Sequence, residues 1–327
     1  MKKIALIGGG SWASALAKLL TDNQLPITWW VRDSDQAESI QKEGFNPKYL
    51  SSVHYPTSLL TVTTDVKLAF EGADFIILAV PAAFLRSSLR SITPEDFRNK
   101  VIVSAIKGMI PETKQIVAEF LGDHYSVDPS QMLVIAGPCH AEEVAEERLS
   151  YLTIAGREEI AQEFASMLAG KHLKTKTSED LIGTEYAAVL KNIYALACGI
   201  AKGLGYGDNF QAVLVSSAVG EMKRITKNIY KLKRKMHEPA YLGDLLVTAY
   251  SQYSRNRTFG NMIGRGYSVA SAKVELGMVA EGYFATPAIR QICLEKTIKA
   301  PIVEAVYQSL YEGNAKKAFK KLEDQIG

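Results

Sequence analysis

The sequence predicts an α/β fold, a doubly wound sheet, for the first half of the chain and an all-α fold for the second half. In the first half short apolar runs alternate with helical patterns, whereas beyond about residue 178 helical periodicity dominates. The runs are apolar at consecutive positions, as expected for parallel strands covered on both faces. A chain of 327 residues also exceeds what one small core requires. We therefore expect two domains, at 1–178 and 179–327.

Six apolar runs define the strands of the first predicted domain, at 4–7, 27–31, 75–80, 101–105, 132–136 and 151–155. Helical patterns lie between them, at 11–22, 34–43, 82–91, 112–121, 138–147 and 158–169. This alternation predicts a parallel sheet with right-handed crossovers. The second domain is predicted to hold helices at 180–203, 209–231, 242–252, 257–264, 268–275, 286–296 and 300–310. The change of pattern falls at 175–178, with Ser178 as a helix N-cap.

Composition narrows the class of protein. The net charge of +3 gives no overall field that would attract nucleic acid, so we expect no nucleic-acid partner. The three cysteines match no metal or redox spacing and fit a reducing compartment. No run approaches the length of a membrane span, so we expect a cytoplasmic protein without stable membrane insertion. Seven basic residues between Lys223 and Lys235 are read as a solvated face in preference to an anion-binding patch.

A glycine-rich turn follows the first predicted strand. Gly8, Gly10 and Ala13 fit the pattern G-x-G-x-x-A, directly before a predicted helix. In a Rossmann-type domain the first glycine makes the tight turn, the second admits a pyrophosphate and the third position packs helix on strand. The helix N-terminus then offers N–H groups to the phosphates. The alternative is a glycine turn that binds nothing.

The choice of cofactor depends on the end of the second strand. Arg32 can accept the 2′-phosphate of NADPH, whereas Asp33 can bind the ribose hydroxyl of NADH, and the sequence leaves both open. Phe84, after the third predicted strand, is a candidate for packing against the cofactor or within its own helix.

Candidate catalytic and binding residues follow the next two predicted strands. Lys107 comes after the strand at 101–105, where it is either functional or simply solvated. The strand at 132–136 is followed by Gly137, Pro138, Cys139 and His140, a turn into a helix. His140 could act as a general base, although a structural role is favoured.

The helical half holds a lysine in apolar surroundings and an anion-binding segment. Lys191 lies within a largely apolar helix, where burial and nearby cations lower the pKa of a lysine toward neutrality. Such a lysine can protonate the alkoxide that hydride transfer to a ketone produces. Asp244 and the stretch Ser254-Arg255-Asn256 follow, and an arginine can grip phosphate through two parallel hydrogen bonds.

Taken in order, these segments resemble the bacterial-type NAD(P)-dependent glycerol-3-phosphate dehydrogenases. The matching stretches are GGGSWASALA from 8, IKG at 106–108, GPCHAEEVA from 137, LKN at 190–192, LGDLLVT from 242, SRNRTFG from 254 and VAEGYFAT from 279. The resemblance implies reversible reduction of dihydroxyacetone phosphate to sn-glycerol 3-phosphate with NADPH or NADH, which supplies glycerophospholipid synthesis. It also implies a homodimer.

The resemblance further implies roles for individual residues. Lys191 corresponds to the catalytic acid/base, Lys107 to a lysine that contacts substrate and cofactor, and Asp244 to the acidic residue that orients Lys191 and the substrate hydroxyl. Substrate contacts are implied for Gly137, Cys139, Ser254, Arg255 and Asn256. Cofactor contacts are implied for Ser11, Trp12, Arg32, Lys107, Ala141, Arg255, Val279 and Glu281, beside Gly8, Gly10 and Phe84, which the residue pattern already makes candidates for the same site.

The chain departs from the family pattern at three places. Ile106 replaces the usual Ser or Thr, Cys139 and His140 replace a hydroxyl residue and an apolar one, and 236–241 lacks the usual glycine-rich approach. A thiol is a weaker hydrogen-bonding group than a hydroxyl, so the substrate contact at Cys139 is the one most affected. Two alternative functions stay open: a related dehydrogenase that acts on a β-hydroxy acid or a sugar acid, and a dinucleotide-sensing protein without catalytic activity.

Overall fold

Eight strands form one sheet in the computed structural model, which describes residues 2–277 and 280–326. They are β1 Ile4–Ile7, β2 Ile27–Trp30, β3 Leu60–Thr63, β4 Phe75–Leu78, β5 Val101–Ser104, β6 Met132–Ala136, β7 Ser150–Gly156 and β8 Leu173–Ser178. Their order is β3-β2-β1-β4-β5-β6-β7-β8. The neighbouring strands pair in parallel, except β6 with β7. The predicted doubly wound α/β fold is therefore confirmed.

Seven helices accompany these strands within the described residues. They are α1 Ser11–Asp22, α2 Ser34–Glu43, α3 Val66–Phe70, α4 Ala82–Ser88, α5 Val117–Tyr125, α6 Ala141–Ala145 and α7 Glu158–Leu168. The side chains of β1, β4 and β6 are buried along the whole of each strand, as strands with helices on both faces require. Phe75 of β4 stacks on Phe164 of α7 in this core, with ring centroids 5.5 Å apart.

Four details of the strands and of the end of the predicted sheet domain were wrong. Strand β7 runs antiparallel to β6 and not parallel. Strands β3 and β8 went unpredicted because they lie at the two sheet edges and contain no apolar run: β3 alternates apolar residues with threonine, and β8 is polar after Leu173. Ser178 ends β8 and is not the helix N-cap, because the next helix begins at Leu181. Its hydroxyl instead accepts a hydrogen bond from the N–H of Asp180, at 3.2 Å.

The helix predicted at 112–121 begins later than expected, at Val117. Lys114 has a positive φ of 58°, a left-handed conformation that cannot continue an α-helix. The N–H of Ile110 donates to the carbonyl of Gln115 at 2.9 Å, so the segment before the helix folds into a tight turn.

The chain divides into two compact units. One, the sheet unit, comprises Met1–Ile106 and Val117–Leu181; the other, the helical unit, comprises Lys107–Ile116 and Ile182–Gly327. The segment Lys107–Ile116 thus belongs to the helical unit although it follows β5 directly along the chain.

The helical unit contains eight helices among its described residues. They are α8 Leu181–Gly203, α9 Asp208–Ile229, α10 Asp244–Tyr250, α11 Arg255–Gly264, α12 Val269–Leu276, α13 Glu281–Glu295, α14 Pro301–Tyr311 and α15 Ala315–Glu323. A π-helical turn, Pro239–Gly243, leads into α10. Helix α8 is buried along nearly its whole length, which fits its largely apolar sequence. None of the described helices is long and apolar enough to cross a membrane.

Glycines bring α8 and α11 into very close contact. A Cβ at Gly199 would lie 2.1 Å from the carbonyl oxygen of Arg257, and one at Gly260 would lie 2.3 Å from that of Leu196. No side chain fits between the two backbones at these points. The crossing therefore fixes the start of α11 relative to α8.

Candidate active site

Two lysines share one buried carboxylate in the helical unit. The Nζ of Lys191, on α8, donates a hydrogen bond to Oδ1 of Asp244, the first residue of α10. The Nζ of Lys107 lies 3.5 Å from the other oxygen, Oδ2. Lys191 and Asp244 are only 5% and 1% exposed, so this ion pair is almost fully removed from solvent, whereas the side chain of Lys107 is 17% exposed. The structure thus brings together the three residues predicted to be catalytic.

Neighbouring groups hold each member of the cluster. Asn192 follows Lys191 on α8, and its side-chain N–H donates to the backbone carbonyl of Lys107 at 2.7 Å. Asp244 is presented by the π-helical turn before α10, and Thr248 donates to its carbonyl at 2.6 Å. The two lysines, far apart in sequence, are therefore positioned by the same turn of α8.

The electrostatic setting changes the acidity of Lys191. Burial lowers its pKa to about 8, because the ammonium loses its hydration. The carboxylate of Asp244 opposes this shift and the positive charge of Lys107 adds to it. Lys191 can therefore both give up and take back a proton near neutral pH.

The predicted phosphate-binding residues begin α11. Ser254 is the N-cap, and its hydroxyl accepts from the N–H of Arg257 at 3.3 Å. Asn256 is buried, and its Oδ1 accepts from the N–H of Gly282 at 3.0 Å. This bond leaves the amide N–H₂ of Asn256 as the group that can donate to an anion. Arg255 is the first helical residue, between these two.

The N-terminus of α13 belongs to the same part of the helical unit. Glu281 is its first residue, and Gly282 packs so closely on α8 that a Cβ there would lie 2.6 Å from the carbonyl oxygen of Asn192. Val279, the other cofactor residue predicted here, lies outside the described residues.

The glycine turn of the sheet unit has the form that a dinucleotide requires. Gly8 has a φ of +140°, and a Cβ there would lie 2.4 Å from the carbonyl oxygen of Ala79, so only glycine fits. A Cβ at Gly10, by contrast, would meet no protein atom within 4 Å. Gly10 is the N-cap of α1, whose first-turn N–H groups have no acceptor within the helix. These features match a pyrophosphate approaching the backbone at Gly10.

Side chains hold the carbonyl groups of this turn from the protein side. The carbonyl of Gly8 accepts from Trp29 Nε1 at 2.6 Å, and that of Gly9 accepts from Gln36 Nε2 at 2.7 Å and Asn46 Nδ2 at 3.1 Å. Acceptor oxygens that would repel a phosphate are therefore engaged by the protein. Ser11 and Trp12, both predicted cofactor residues, are the first two residues of α1.

The other predicted sites of the sheet unit lie at the ends of β2, β4 and β6. The guanidinium carbon of Arg32 lies 5.6 Å from the ring centroid of Phe84, a residue in the first turn of α4. Gly137 has a φ of +125° and packs closely against the carbonyl of Tyr151. The same carbonyl accepts a hydrogen bond from Cys139 Sγ, at 3.3 Å. The predicted helix at 138–147 is shorter than expected, so His140 is an N-cap residue and Ala141 opens α6.

Sequence reasoning missed four residues of these sites. Asn192 follows Lys191 within an apolar helix, where a buried amide needs a partner, and this need was the available signal. Gln36, Asn46 and Lys48 surround the glycine turn and the end of β2. No local pattern marks them, because their partners are distant in sequence.

A doubly wound sheet with a dinucleotide turn, together with a buried lysine whose pKa is lowered toward neutrality, is typical of a nicotinamide-dependent oxidoreductase. Family models agree: the N-terminal model of NAD-dependent glycerol-3-phosphate dehydrogenase matches residues 3–162, and the C-terminal model matches 180–321. This chain belongs to that family.

Individual proteins are similar over the full length. The glycerol-3-phosphate dehydrogenase [NAD(P)+] of Limosilactobacillus reuteri (strain DSM 20016) is 34% identical, covering 99% of this chain and 97% of its own. That of Bacillus subtilis (strain 168) is 36% identical, covering 96% and 91%. The crystal structure of glycerol-3-phosphate dehydrogenase from Coxiella burnetii superposes with a TM-score of 0.90 at 29% identity, covering 98% of both chains.

Proposed function

We propose that this protein reversibly reduces dihydroxyacetone phosphate to sn-glycerol 3-phosphate with NADPH or NADH. The observation that carries the proposal is the buried cluster in which Lys191 and Lys107 share the carboxylate of Asp244. The full-length similarity to glycerol-3-phosphate dehydrogenases supports the same substrate pair. The product would supply glycerophospholipid synthesis, and we propose a cytoplasmic location and a homodimer.

In this mechanism the protein positions the ketone and moves one proton. The reduced nicotinamide, when bound, supplies the hydride to C2. Lys191, as an ammonium, donates its proton to the oxygen on C2, and in the reverse direction its neutral amine takes the hydroxyl proton. Asp244 holds the amine in place and compensates the charge of Lys107. Lys107 then contributes a positive charge that stabilises the developing alkoxide.

The start of α11 provides the proposed phosphate site. Arg255 offers a guanidinium fork and Asn256 an amide N–H₂, both on a helix whose position is fixed by the glycine crossing with α8. Binding energy from the non-reacting phosphate orients the carbonyl toward Lys191. We further propose that Gly137 and Cys139 contact substrate, and that Gly8, Gly10, Ser11, Trp12, Arg32, Phe84, Lys107, Ala141, Arg255, Val279 and Glu281 contact the cofactor.

The test is a spectrophotometric assay of cofactor oxidation with dihydroxyacetone phosphate, in wild type and Lys191→Ala. We expect the variant to lose about 10²- to 10⁴-fold in kcat, the usual contribution of a general acid, while its affinity for the cofactor is retained. Lys202→Ala is the matched control, because Lys202 is an exposed residue near the end of the same helix.

Two outcomes would point to other functions. Cofactor binding without oxidation, with any keto-phosphate, would indicate a dinucleotide sensor. Faster reduction of a keto acid that lacks phosphate would indicate a β-hydroxy acid or sugar acid dehydrogenase. Near wild-type turnover in Lys191→Ala would exclude the proposed role of that lysine. Sedimentation of the purified protein as a single chain would exclude the homodimer.

A further inference from the structure

The end of α9 and the loop that follows it carry a run of positive charge that the proposed reaction does not use. Seven lysine and arginine residues lie within residues 223–235, and no Asp or Glu occurs from 222 to 237. The net charge of the whole chain is only +3, so the rest of the chain is negatively charged on balance. We call residues 223–235 the basic segment.

Five cations of the basic segment are exposed lysines, namely Lys223, Lys227, Lys231, Lys233 and Lys235. Within residues 2–277 and 280–326 none of these five lysines has a carboxylate at ion-pairing distance. Lys223 and Lys227 lie one turn apart on α9, where like charges repel and weaken a helix. The basic segment therefore displays positive charge that the described part of the chain does not neutralise.

The two arginines of the basic segment hold its backbone in place. Nη1 of Arg234 donates to the carbonyl of Tyr230 at 2.9 Å and to that of Leu232 at 3.4 Å, which closes the loop after α9. Nε of Arg224 donates to the carbonyl of Lys299 at 3.2 Å, so another exposed lysine lies beside the end of α9. The lysines are thus presented by a loop whose conformation is fixed by hydrogen bonds.

Two large apolar side chains are exposed among these lysines. Tyr230 is 49% exposed and Leu232 is 40% exposed. A solvated surface accounts for the lysines, but it does not account for a tyrosine and a leucine left in water two residues apart. At a membrane surface such side chains enter the headgroup boundary, while lysine stems extend their ammonium groups to the lipid phosphates. The combination of charge and apolar side chains therefore fits a lipid surface.

Helix α15 shows that the number of lysines alone does not make such a surface. It carries four exposed lysines, Lys316, Lys317, Lys320 and Lys321. Lys320 is ion-paired with Glu323 at 2.6 Å, and Asp324 follows the helix directly. Its large apolar side chains, Phe319 and Leu322, are buried. Along its described length α15 thus exposes lysines without an exposed large apolar side chain, which makes it an internal control.

From these features we propose that the basic segment binds the surface of an anionic phospholipid membrane. The lysine ammonium groups contact lipid phosphates, and Tyr230 and Leu232 enter the headgroup boundary. A double-stranded nucleic acid would also attract the lysines, but it offers no apolar boundary in which these two side chains could be buried. The binding is peripheral and reversible. Together with the proposed reaction, it would release glycerol 3-phosphate beside the membrane whose lipids incorporate it.

Co-sedimentation of the purified protein with lipid vesicles tests the proposal. Vesicles of equimolar phosphatidylglycerol and phosphatidylcholine are compared with vesicles of phosphatidylcholine alone. We expect about tenfold or tighter binding to the anionic vesicles, and release at high salt, because the screening length falls to about 3 Å in 1 M salt. Equal affinity for both vesicles, or binding to neither, would overturn the proposal. The assay needs neither cofactor nor keto substrate, so its result is independent of whether dihydroxyacetone phosphate is reduced.

Charge variants assign the binding to the basic segment. Replacing Lys227, Lys231, Lys233 and Lys235 together by Gln should weaken binding to the anionic vesicles about 100-fold or more, since each lysine at a membrane surface contributes about fivefold. The matched control replaces the four lysines of α15 by Gln, which removes the same charge from a different helix. We expect this control to bind within about threefold of wild type, because its charges lie on a separate helix and exposed charges are screened beyond about 10 Å.

The charge variants can also contradict the proposal. Equal losses in the two variants would show that only the net charge matters. A change of oligomeric state in the variant of the basic segment, measured by sedimentation velocity, would place the segment between copies of the chain. Either result would overturn the proposal.

A second pair of variants tests the apolar side chains and separates lipid from nucleic acid. Tyr230→Ser combined with Leu232→Ser should weaken vesicle binding about tenfold, because less apolar area is buried, and should leave any binding to double-stranded DNA unchanged. Tyr267→Ser combined with Leu294→Ser is the matched control, since these residues are 50% and 61% exposed elsewhere in the helical unit. Unchanged vesicle binding in the first pair, or tighter binding of the wild type to DNA than to anionic vesicles, would contradict a lipid partner.

Discussion

At the scale of single residues, Lys191 shows how burial brings the pKa of a lysine toward neutrality, which suits the proton transfer proposed for it. A buried ammonium costs free energy unless another charge compensates it. Asp244 compensates it, and Lys107 limits that compensation by sharing the same carboxylate. The competition leaves the pKa of Lys191 at about 8, within reach of both protonation states.

This pKa predicts opposite pH dependence in the two reaction directions. Reduction needs the ammonium, so kcat/KM for dihydroxyacetone phosphate should fall as the pH rises through about 8. Oxidation needs the neutral amine, so kcat/KM for glycerol 3-phosphate should rise over the same interval and then level off. Initial rates in both directions, across this range, measure the effect. Profiles that change in the same direction would contradict the role given to Lys191.

The second prediction concerns Lys107. Its positive charge lowers the pKa of Lys191, so Lys107→Gln should move the midpoint of the pH profile above 8 as well as reduce turnover. Lys114→Gln is a suitable control, because Lys114 is an exposed lysine of the same Lys107–Ile116 segment. An unchanged midpoint in Lys107→Gln would show that the two lysines do not interact electrostatically.

The third prediction concerns Cys139, where the chain departs from its family. The thiol donates to the carbonyl of Tyr151, and a serine hydroxyl is the stronger donor. We therefore expect Cys139→Ser to keep kcat and the KM for dihydroxyacetone phosphate within about twofold. Cys139→Val, which lacks a donor, should lower the free energy of unfolding by about 1 kcal/mol, measured by denaturant titration. A large loss of activity in Cys139→Ser would show that the thiol itself is required.

At the scale of elements, the crossing of α8 and α11 connects Lys191, the proposed proton-transfer group, with the proposed phosphate site. Lys191 lies on α8, and Arg255 and Asn256 begin α11. Gly199 and Gly260 let the two backbones come into contact at the crossing. Because no side chain separates the helices there, the crossing sets the distance between Lys191 and the start of α11.

The fourth prediction tests this crossing. In Gly260→Ala the new Cβ would lie 2.3 Å from the carbonyl oxygen of Leu196, so the helices must move apart. We expect the free energy of unfolding to fall by about 1 to 3 kcal/mol, and the KM for dihydroxyacetone phosphate to rise because Arg255 is displaced. Gly220→Ala is the control, because the nearest atom to its Cβ would be 3.8 Å away, on α9 itself. Equal stability of the two variants would exclude a tight crossing.

The elements also show what the sequence could and could not predict. Helices α1 and α2 were predicted with their correct bounds because each follows a clear strand and has the expected periodicity. Strand β8 alternates lysine and threonine at a sheet edge, so it has no apolar run to reveal it. Helix α13 begins five residues before its predicted start, since Pro287 lies inside the helix and its pattern indicates a start there.

At the scale of the whole molecule, the sequence predicted the two kinds of architecture but not the path of the chain through them. Lys107 follows β5, and local patterning assigns it to the sheet unit. Its contacts with Asn192 and Asp244 instead join it to the helical unit. These partners are 85 or more residues away along the chain, a distance that no local pattern can bridge.

The path through Lys107–Ile116 has a consequence for how such a protein can diversify. Recombination that exchanged everything before residue 182 for another sheet unit would also replace Lys107, one of the two lysines on Asp244. The two units therefore cannot be exchanged independently. A gene fragment that encodes only the helices after residue 182 lacks Lys107, so its ion cluster is incomplete. A successful chimera would have to carry the ten-residue stretch with it, or rebuild the lysine from a new loop.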